Sequence, residues 1–591
     1  MDATSEYQAR LTARRKILVR AERADSLIAD IRLAVFLGFV GTAWAAWKTE
    51  AIGFGWVFVP LVAFVFLLIA HERTLRRLAR AKLAVAYYEL GLRRLTNQWQ
   101  GSGSNGLDWV PKPHLYAADL DIFGTGSLFE LLCTAQTRVG QKTLAAWLCG
   151  PTPAEELSRR HESVAALRGE LDLQEELVIA AGGAQPRLHP DSLVTWAEAP
   201  LRLQTPGLSW AFAAVSMGAI ASLVAWAMAW VGPGPFVGIL VVQWVLGRVY
   251  GNGVANVLEL VAPAQKELRA LARVLGVFER AAVDSPKLQV LQTTLGGKAS
   301  GEIDALGALV QLADSSGNQF FQPFGFVLMW RLQCAIRIEA WRRRCGPLVN
   351  DWLVALGELE ALGAIANYAY ENPDDVFPEI VDGSTSLLVA EGLGHPLLST
   401  EVSVRNDVEL DATCSAWVVS GSNMSGKSTL LRSIGANAVL AFAGAPVRAH
   451  RFKASVFEIG ATLSIHDSLQ DGSSRFYAEI QRLRELLSIA DGPNRLLFLV
   501  DEILHGTNSH DRAIGALAVL EAFVQRGALG LVTTHDLALA SQVEERGISA
   551  RNVHFEDQME GDALVFDYIL RDGQVTRGNA LNLMRSVGLP V

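Results

Sequence analysis

A chain of 591 residues has room for three or four domains of roughly 150 residues each, which excludes a single small module. Half of the residues are hydrophobic, 19% are charged and mean hydropathy is +0.23, against about 25% charge in an ordinary soluble protein. That composition argues against disorder and against a wholly aqueous existence, and a net charge of −9 argues against coating nucleic acid by bulk electrostatics.

Residues 1–30 are rich in arginine and show no signal-peptide cleavage pattern, so a retained basic cytoplasmic segment is expected. A first transmembrane hairpin is expected over 31–72. Ala51–Ala70 is uncharged and long enough to cross a hydrocarbon core about 30 Å thick. Leu33–Trp47 is shorter and needs the residues before Arg32, with that side chain snorkelling. A helical linker follows over 73–111 and the first part of a helical core over 112–202. The 45 residues from Leu203 to Gly247 contain no Asp, Glu, Lys, Arg or His, and Pro233-Gly-Pro235 supplies a turn. They predict a second hairpin over 203–258. Seven of the fifteen tryptophans lie in the two apolar stretches, several near span ends, where amphipathic rings favour the headgroup layer.

Arg10, Arg14, Arg15, Lys16, Arg20, Arg23 and Arg32 precede the first span. Arg73, Arg76, Arg77, Arg80, Lys82, Arg93 and Arg94 follow the second. The positive-inside rule then directs both hairpins outward from an inner (plasma) membrane and keeps the remainder cytoplasmic. The basic N-terminus is either a segment that lies on anionic lipid or a solvated determinant of topology. Residues 259–382 read mainly as long amphipathic helices. Within them, Arg331, Arg337, Arg342, Arg343 and Arg344 form either a phosphate-contacting stretch or a solvated face or lipid-facing charges. The five cysteines form no CxxC pair, which fits a reduced compartment and gives no zinc site.

Residues 383–591 carry the chemistry. Ala416–Ser420 reads as a buried strand running into Gly421-Ser422-Asn423-Met424-Ser425-Gly426-Lys427-Ser428, which fits G-x-x-x-x-G-K-[ST]. Backbone N–H groups of such a loop wrap phosphates, Lys427 reaches the β- and γ-phosphates, and the Ser428 hydroxyl can hold Mg²⁺. An apolar helix from Thr429 would place its positive end at the phosphates. A second apolar strand, Arg495–Val500, ends in Asp501-Glu502. Asp501 would hold Mg²⁺ with Ser428, and Glu502 would polarise the attacking water. A third strand, Leu529–Thr534, ends at His535, placed to sense the γ-phosphate. The expected activity is Mg²⁺-dependent ATP hydrolysis, with Glu502, Lys427 and His535 as the catalytic residues.

The same segments resemble the MutS mismatch-repair ATPase family, within the ABC-type ATPases. Gly421–Thr429 is similar to that family's GPNMGGKST, with Ser422 for the proline and Ser425 for a glycine. Asp501–Ser509 is similar to DEIGRGTST, Gly472–Glu479 to the signature GRSTFMVEM with Arg475 as a departure, and Gly394-His395-Pro396 to GRHP. The likeness covers about 385–591 and is looser upstream. Ala118–Phe129 and Arg138–Leu148 look like the start of the family's helical core, and Leu353–Tyr370 like the helix returning from its levers. The resemblance implies a homodimer of head-to-tail ATPase domains in which Ser474 completes the partner's γ-phosphate site, with Val404 at an adenine-contacting position. No segment before residue 112 resembles a mismatch-reading domain, and too little chain is present for the usual DNA clamp.

The expected fold class is therefore α plus α/β, with a helical core and lever region carrying two inserted transmembrane hairpins before a C-terminal ABC-type P-loop ATPase domain. The implied function is a membrane-anchored ATPase with ATP and Mg²⁺, moving levers on DNA, the family's substrate class. Half of an ABC-type transporter is an alternative, though Asp471-Gly-Ser-Ser-Arg-Phe stands where LSGGQ is wanted. An ATP-gated membrane scaffold with a protein partner is another.

Overall fold

Long helices form wherever apolar runs meet few helix breakers, and the chain opens with two. The computed structural model describes residues 2–48, 53–182, 190–203, 207–315, 321–382, 385–422, 424–463, 475–492, 494–505, 508–560 and 563–575. Helix α1 (Ala3–Lys48) and helix α2 (Phe58–Leu95) pack antiparallel along their length, with Tyr7 against Tyr88 at one end and Phe36 against Phe64 further along. Both helices run well beyond the expected hairpin at 31–72, because the flanking residues are amphipathic and continue the pairing. Tyr7, Leu11, Val85, Tyr88 and Leu171 make a small core there.

Within residues 1–30, three of the basic side chains pair with acids of the protein itself. Arg10 binds Asp172 at 2.6 Å, Arg14 binds Glu175 at 2.8 Å, and Arg15 binds Glu89 at 2.7 Å. Arg94, in the following flank, binds Glu371 at 2.6 Å. At these positions the basic charge meets the protein's own acids rather than phosphate headgroups.

The helical part continues through α3 (Leu128–Leu132), α4 (Arg138–Leu148), α5 (Ala154–Leu167), α6 (Leu171–Ala181) and α7 (Pro190–Glu198). The second apolar stretch forms α8 (Leu208–Ala227) and α9 (Gly234–Leu258), joined at Pro233. Then come α10 (Gln265–Arg280), α11 (Pro286–Leu295), α12 (Ala299–Asp314), α13 (Gln322–Val327) and α14 (Trp330–Glu371). Helices α1, α2, α8 and α9 each contain a window long and apolar enough to cross a membrane.

The 42 residues of α14 make a rod of roughly 63 Å at 1.5 Å per residue. It packs against α4, α5, α7, α9, α11 and α12, so most of the helical core is built around it. Close approach to α4 depends on Gly357, where a Cβ would meet the Thr143 hydroxyl at 2.4 Å. The basic stretch of α14 does not act as one surface. Arg342 is buried, donates to the Ala199 carbonyl at 2.6 Å and stacks on Trp196, while Arg344 pairs with Glu302 at 3.3 Å.

Beyond α14 the chain becomes α/β. Its elements are β1 (Glu379–Val381), β2 (Leu388–Leu393), β3 (Asn406–Leu410), β4 (Ala416–Ser420), α15 (Lys427–Ala443), β5 (Arg451–Ser455), β6 (Glu458–Thr462) and α16 (Arg475–Ala490). There follow β7 (Leu496–Val500), α17 (Ser509–Gln525), β8 (Leu529–Thr534), α18 (Leu537–Arg546), β9 (Ala550–Glu560) and β10 (Ala563–Asp572). One sheet has order β1-β5-β2-β3. The other has order β10-β9-β4-β8-β7-β6 and is parallel except between β10 and β9. Strands β4, β7 and β8 are buried throughout, the pattern of a parallel sheet covered on both faces. Their C-terminal ends lie side by side, and ligands of open α/β sheets bind beyond such strand ends.

Candidate functional site

The loop from Gly421 to Gly426 leaves β4 and enters α15. Gly421 has φ +150° and Gly426 has φ +109°, conformations that disfavour any side chain. A Cβ at Gly421 would also lie 2.8 Å from the Ser425 hydroxyl and 3.1 Å from the Phe555 carbonyl. Helix α15 starts at Lys427 without a side-chain cap, which leaves its positive end available to an anion. Lys427 is buried, and its ammonium donates to the carbonyls of Gly421 at 2.8 Å and Ser422 at 2.7 Å. Burial pushes its pKa below the usual lysine value, against the opposing charges of Asp501 and Glu502.

One residue on, the Ser428 hydroxyl donates to Asp501 Oδ2 at 2.6 Å, so the end of β7 and the start of α15 meet at one point. The other Asp501 oxygen accepts from the Thr533 hydroxyl of β8. Thr533 Oγ1 in turn accepts from the Glu502 amide at 2.8 Å. Glu502 has φ +48°, and its Oε1 lies 2.9 Å from His535 Nε2, while Oε2 lies 3.7 Å from His505 Nδ1. Burial acts to raise the Glu502 carboxyl. The His535 hydrogen bond and the charges of His535, His505 and Lys427 outweigh it and hold the group below the usual carboxylate range.

These residues fit Mg²⁺ and phosphate. Among the described residues no three His, Cys, Asp or Glu side chains cluster as a dedicated metal cage. A hydroxyl and one carboxylate at a phosphate-wrapping loop are what Mg²⁺ uses when phosphate and water supply its other ligands. Two hydroxyls nearby, Ser422 Oγ and Thr462 Oγ1, are buried without a partner among the described residues.

Beside the loop is a cleft of about 290 Å³, lined among others by His395, Val402, Val404, Met424, Phe555 and Tyr568. Val404 and Tyr568 are each about 40% exposed, so both can present an apolar or aromatic face to a ligand. Asn406 fixes the Tyr568 backbone: its Nδ2 donates to the Tyr568 carbonyl at 3.0 Å and its Oδ1 accepts from Leu570 at 2.8 Å. His395 is kept neutral by burial and by Arg432 and Arg448, which push its pKa down to about 4.

The structure brings Gly421, Ser422, Ser425, Gly426, Lys427, Ser428, Asp501, Glu502 and His535 into one neighbourhood. It places Val404, Met424, Gly426 and Thr429 on the adjoining cleft. Asn423 and Ser474 lie outside the described residues. Sequence reasoning missed Thr533, His505, Asn406 and Tyr568. Thr533 had a signal, as a hydroxyl two residues before His535 at a strand end. Tyr568 had none, because the antiparallel β9–β10 pairing that brings it back is not visible in the strand pattern.

The family model described as MutS domain V matches residues 417–591. This C-terminal part of the chain belongs to the MutS family. The DNA mismatch repair protein MutS of Natronomonas pharaonis is 33% identical over 246 residues, covering 41% of this chain and 28% of that protein. The protein named Endonuclease MutS2 of Thermus thermophilus is 29% identical over 307 residues, covering 48% and 38%. The DNA mismatch repair protein MutS of Thermotoga maritima is 29% identical over 242 residues, covering 40% and 29%. The chain thus spans well under half the length of these MutS and MutS2 relatives. The MutS match takes in β4, the loop, the Asp501–Glu502 turn and His535 together.

Proposed function

We propose that the chain is a membrane-anchored MutS-family ATPase with an ABC-type P-loop, hydrolysing Mg²⁺–ATP at a site shared between two copies. The observation that carries this reading is the 2.6 Å contact between Ser428 and Asp501 at the mouth of the 421–426 loop. Loop amides and Lys427 hold the triphosphate, and the cleft beside Val404 and Tyr568 takes the base. Ser428 and Asp501 would hold Mg²⁺, which when bound neutralises phosphate charge. Glu502, kept ionised, accepts a hydrogen bond from the attacking water, and His535 fixes its orientation. Ser474 of a second copy completes the γ-phosphate side.

Closure around nucleotide has a route to α14. Arg448 donates its amide to Asn437 of α15 at 2.7 Å and its guanidinium to Asn372 at 2.8 Å, and it pairs with Asp375. Tyr368 of α14 donates to Asp375 at 2.7 Å. A shift of α15 therefore reaches the end of α14 through a few packed, hydrogen-bonded groups. The four apolar helices, with large apolar side chains exposed along them, support an inner-membrane anchor with the ATPase in the cytoplasm.

DNA is the substrate class suggested by the relatives' names. A second reading, an ATP-gated scaffold for a protein partner, is favoured by one observation: Arg10, Arg14, Arg15, Arg94 and Arg342 are paired with groups of the protein itself. The deciding measurement is ATP turnover by the purified full-length protein at two salt concentrations, alone and with homoduplex, mismatched and branched DNA. DNA stimulation that fades steeply with salt supports the first reading. Turnover indifferent to all three DNAs supports the second. Turnover unchanged in Lys427→Ala would remove both.

A further inference from the structure

Between α12 and α14, residues Phe321 to Trp330 include no charged side chain and present Phe321, Phe324, Phe326 and Trp330 within ten positions. Phe324 is 66% exposed and Phe326 44%, although the short helix they occupy, α13, packs against both α8 and α9. Exposed aromatic rings beside two apolar hairpin helices need a covering that water does not provide.

The depth of this segment can be read from its bond to α9. Gln243, buried within an otherwise apolar stretch of α9, donates its Nε2 to the Val327 carbonyl at 2.8 Å. It lies five residues before Arg248, the first charge on that helix, or about 7.5 Å nearer the distal turn at 1.5 Å per residue. If Arg248 marks the headgroup boundary, the Val327 end of α13 sits below it, while Gln322, Gly325 and Phe326 share a cleft with Gly247, Gly251 and Val254 around that boundary.

The backbone is built for that position. The chain breaks between α13 and α14 at Met329, whose φ is +49°. Such breaks normally leave carbonyls for water to satisfy, and in hydrocarbon no water is present. Here the carbonyls of Phe324, Phe326, Val327, Leu328 and Met329 each have a protein donor. Phe324 accepts from the Leu328 amide at 2.9 Å and Phe326 from Met329 at 3.0 Å. Val327 accepts from Gln243, and Leu328 accepts from Gln333 Nε2 at 2.8 Å. The Trp330 indole is also used, on the Leu312 carbonyl. Irregular backbone at membrane depth persists only when satisfied in this way.

We propose that residues 321–330 enter the bilayer beside α9 as a fifth lipid-contacting element, with Phe324 and Phe326 against acyl chains. This rests on the membrane-anchor reading and adds to it. It also gives α14 a lipid-embedded end, opposite the end tied to Arg448.

The test uses the full-length protein in vesicles of phosphatidylcholine and phosphatidylglycerol, with a nitroxide on Phe324→Cys or, separately, Phe326→Cys. Collision with oxygen, enriched in lipid, is compared with collision with a water-soluble nickel chelate. Val241→Cys on α9 and Val354→Cys on α14, both exposed in the protein, are the lipid and water references. The unsubstituted protein gives the background from native thiols. Phe324→Cys and Phe326→Cys labels that match Val241→Cys, oxygen-accessible and nickel-shielded, support the proposal. Labels that match Val354→Cys while Val241→Cys remains shielded overturn it and leave the anchor standing. Nickel access at Val241→Cys as well overturns both.

Discussion

The Glu479 carboxylate accepts a hydrogen bond from the Leu504 amide at 2.5 Å, tying α16 to the turn just beyond Glu502. Glu479 is buried, and Leu504 holds φ +55°, a conformation that persists only where its surroundings impose it. Under the proposed ATPase reading, Glu479 is a positioning residue, acting on the Glu502 turn through the backbone. A hydrogen bond to a charged group contributes about 1.5–3 kcal/mol, so Glu479→Ala should lower kcat for ATP by about 10- to 150-fold. KM for ATP should stay near wild type, and Glu479→Gln, which keeps an acceptor, should recover most of kcat. A rise in KM with unchanged kcat would assign Glu479 to nucleotide binding instead.

The pH dependence of turnover follows from Glu502. Its carboxyl is held low chiefly by the His535 hydrogen bond acting against burial. Removing the imidazole in His535→Ala leaves burial less opposed, so the carboxyl pKa rises. Glu502 must be ionised to accept from water, hence the acidic limb of the pH–rate profile should move to higher pH in the variant. An acidic limb at the same pH in both proteins would show that another group sets it. Glu502→Gln should retain ATP binding and lose turnover at every pH.

Tyr568 is offered to the cleft by a backbone strained at φ +56° and fixed by Asn406. Stacking of a base on an aromatic ring is worth about 1–3 kcal/mol, so Tyr568→Ala should weaken ATP and ADP alike by about 5- to 150-fold. Saturated kcat should change little, since the base is remote from the reacting phosphate. Equilibrium titration with a fluorescent nucleotide reads the first effect and steady-state turnover the second. Tighter loss for ATP than for ADP would place Tyr568 near the γ-phosphate rather than the base.

What the sequence made legible depended on how local the cause was. Strands β4 and β8 fall on the apolar runs Ala416–Ser420 and Leu529–Thr534, and β7 differs from its run by one residue. Burial on both faces writes itself as continuous hydrophobicity. Gly421 and Gly426 could be assigned because their φ values tolerate little else. The ends of α1 and α2 were harder, since their pairing is amphipathic beyond the apolar spans. Arg10–Asp172 and Arg94–Glu371 join residues far apart in the chain, and no local pattern records such a pairing. The buried Arg342 could equally have been an exposed face. Glu479 sat inside a segment already singled out, yet its partner Leu504 is 25 residues away and uses only its backbone.

The same long-range pairing makes the attachment of the first helical hairpin testable. Arg94 forms a two-pronged contact with Glu371, at 2.7 and 2.6 Å, and Tyr7 adds a hydroxyl at 3.2 Å. The Glu371 carboxylate is only 3% exposed and Arg94 12%, so this is a buried pair. Replacing such a pair whole is often neutral, whereas removing one partner strands a charge and costs about 3–5 kcal/mol. Arg94→Met should therefore loosen the ends of α1 and α2 from α14, raising amide exchange at residues 85–95 by about 10²- to 10³-fold. Arg94→Met with Glu371→Gln should return exchange close to wild type, because the stranded carboxylate is gone while the Tyr7 contact can persist. If the double variant is as loose as the single one, the attachment relies on the arginine's packing rather than its charge.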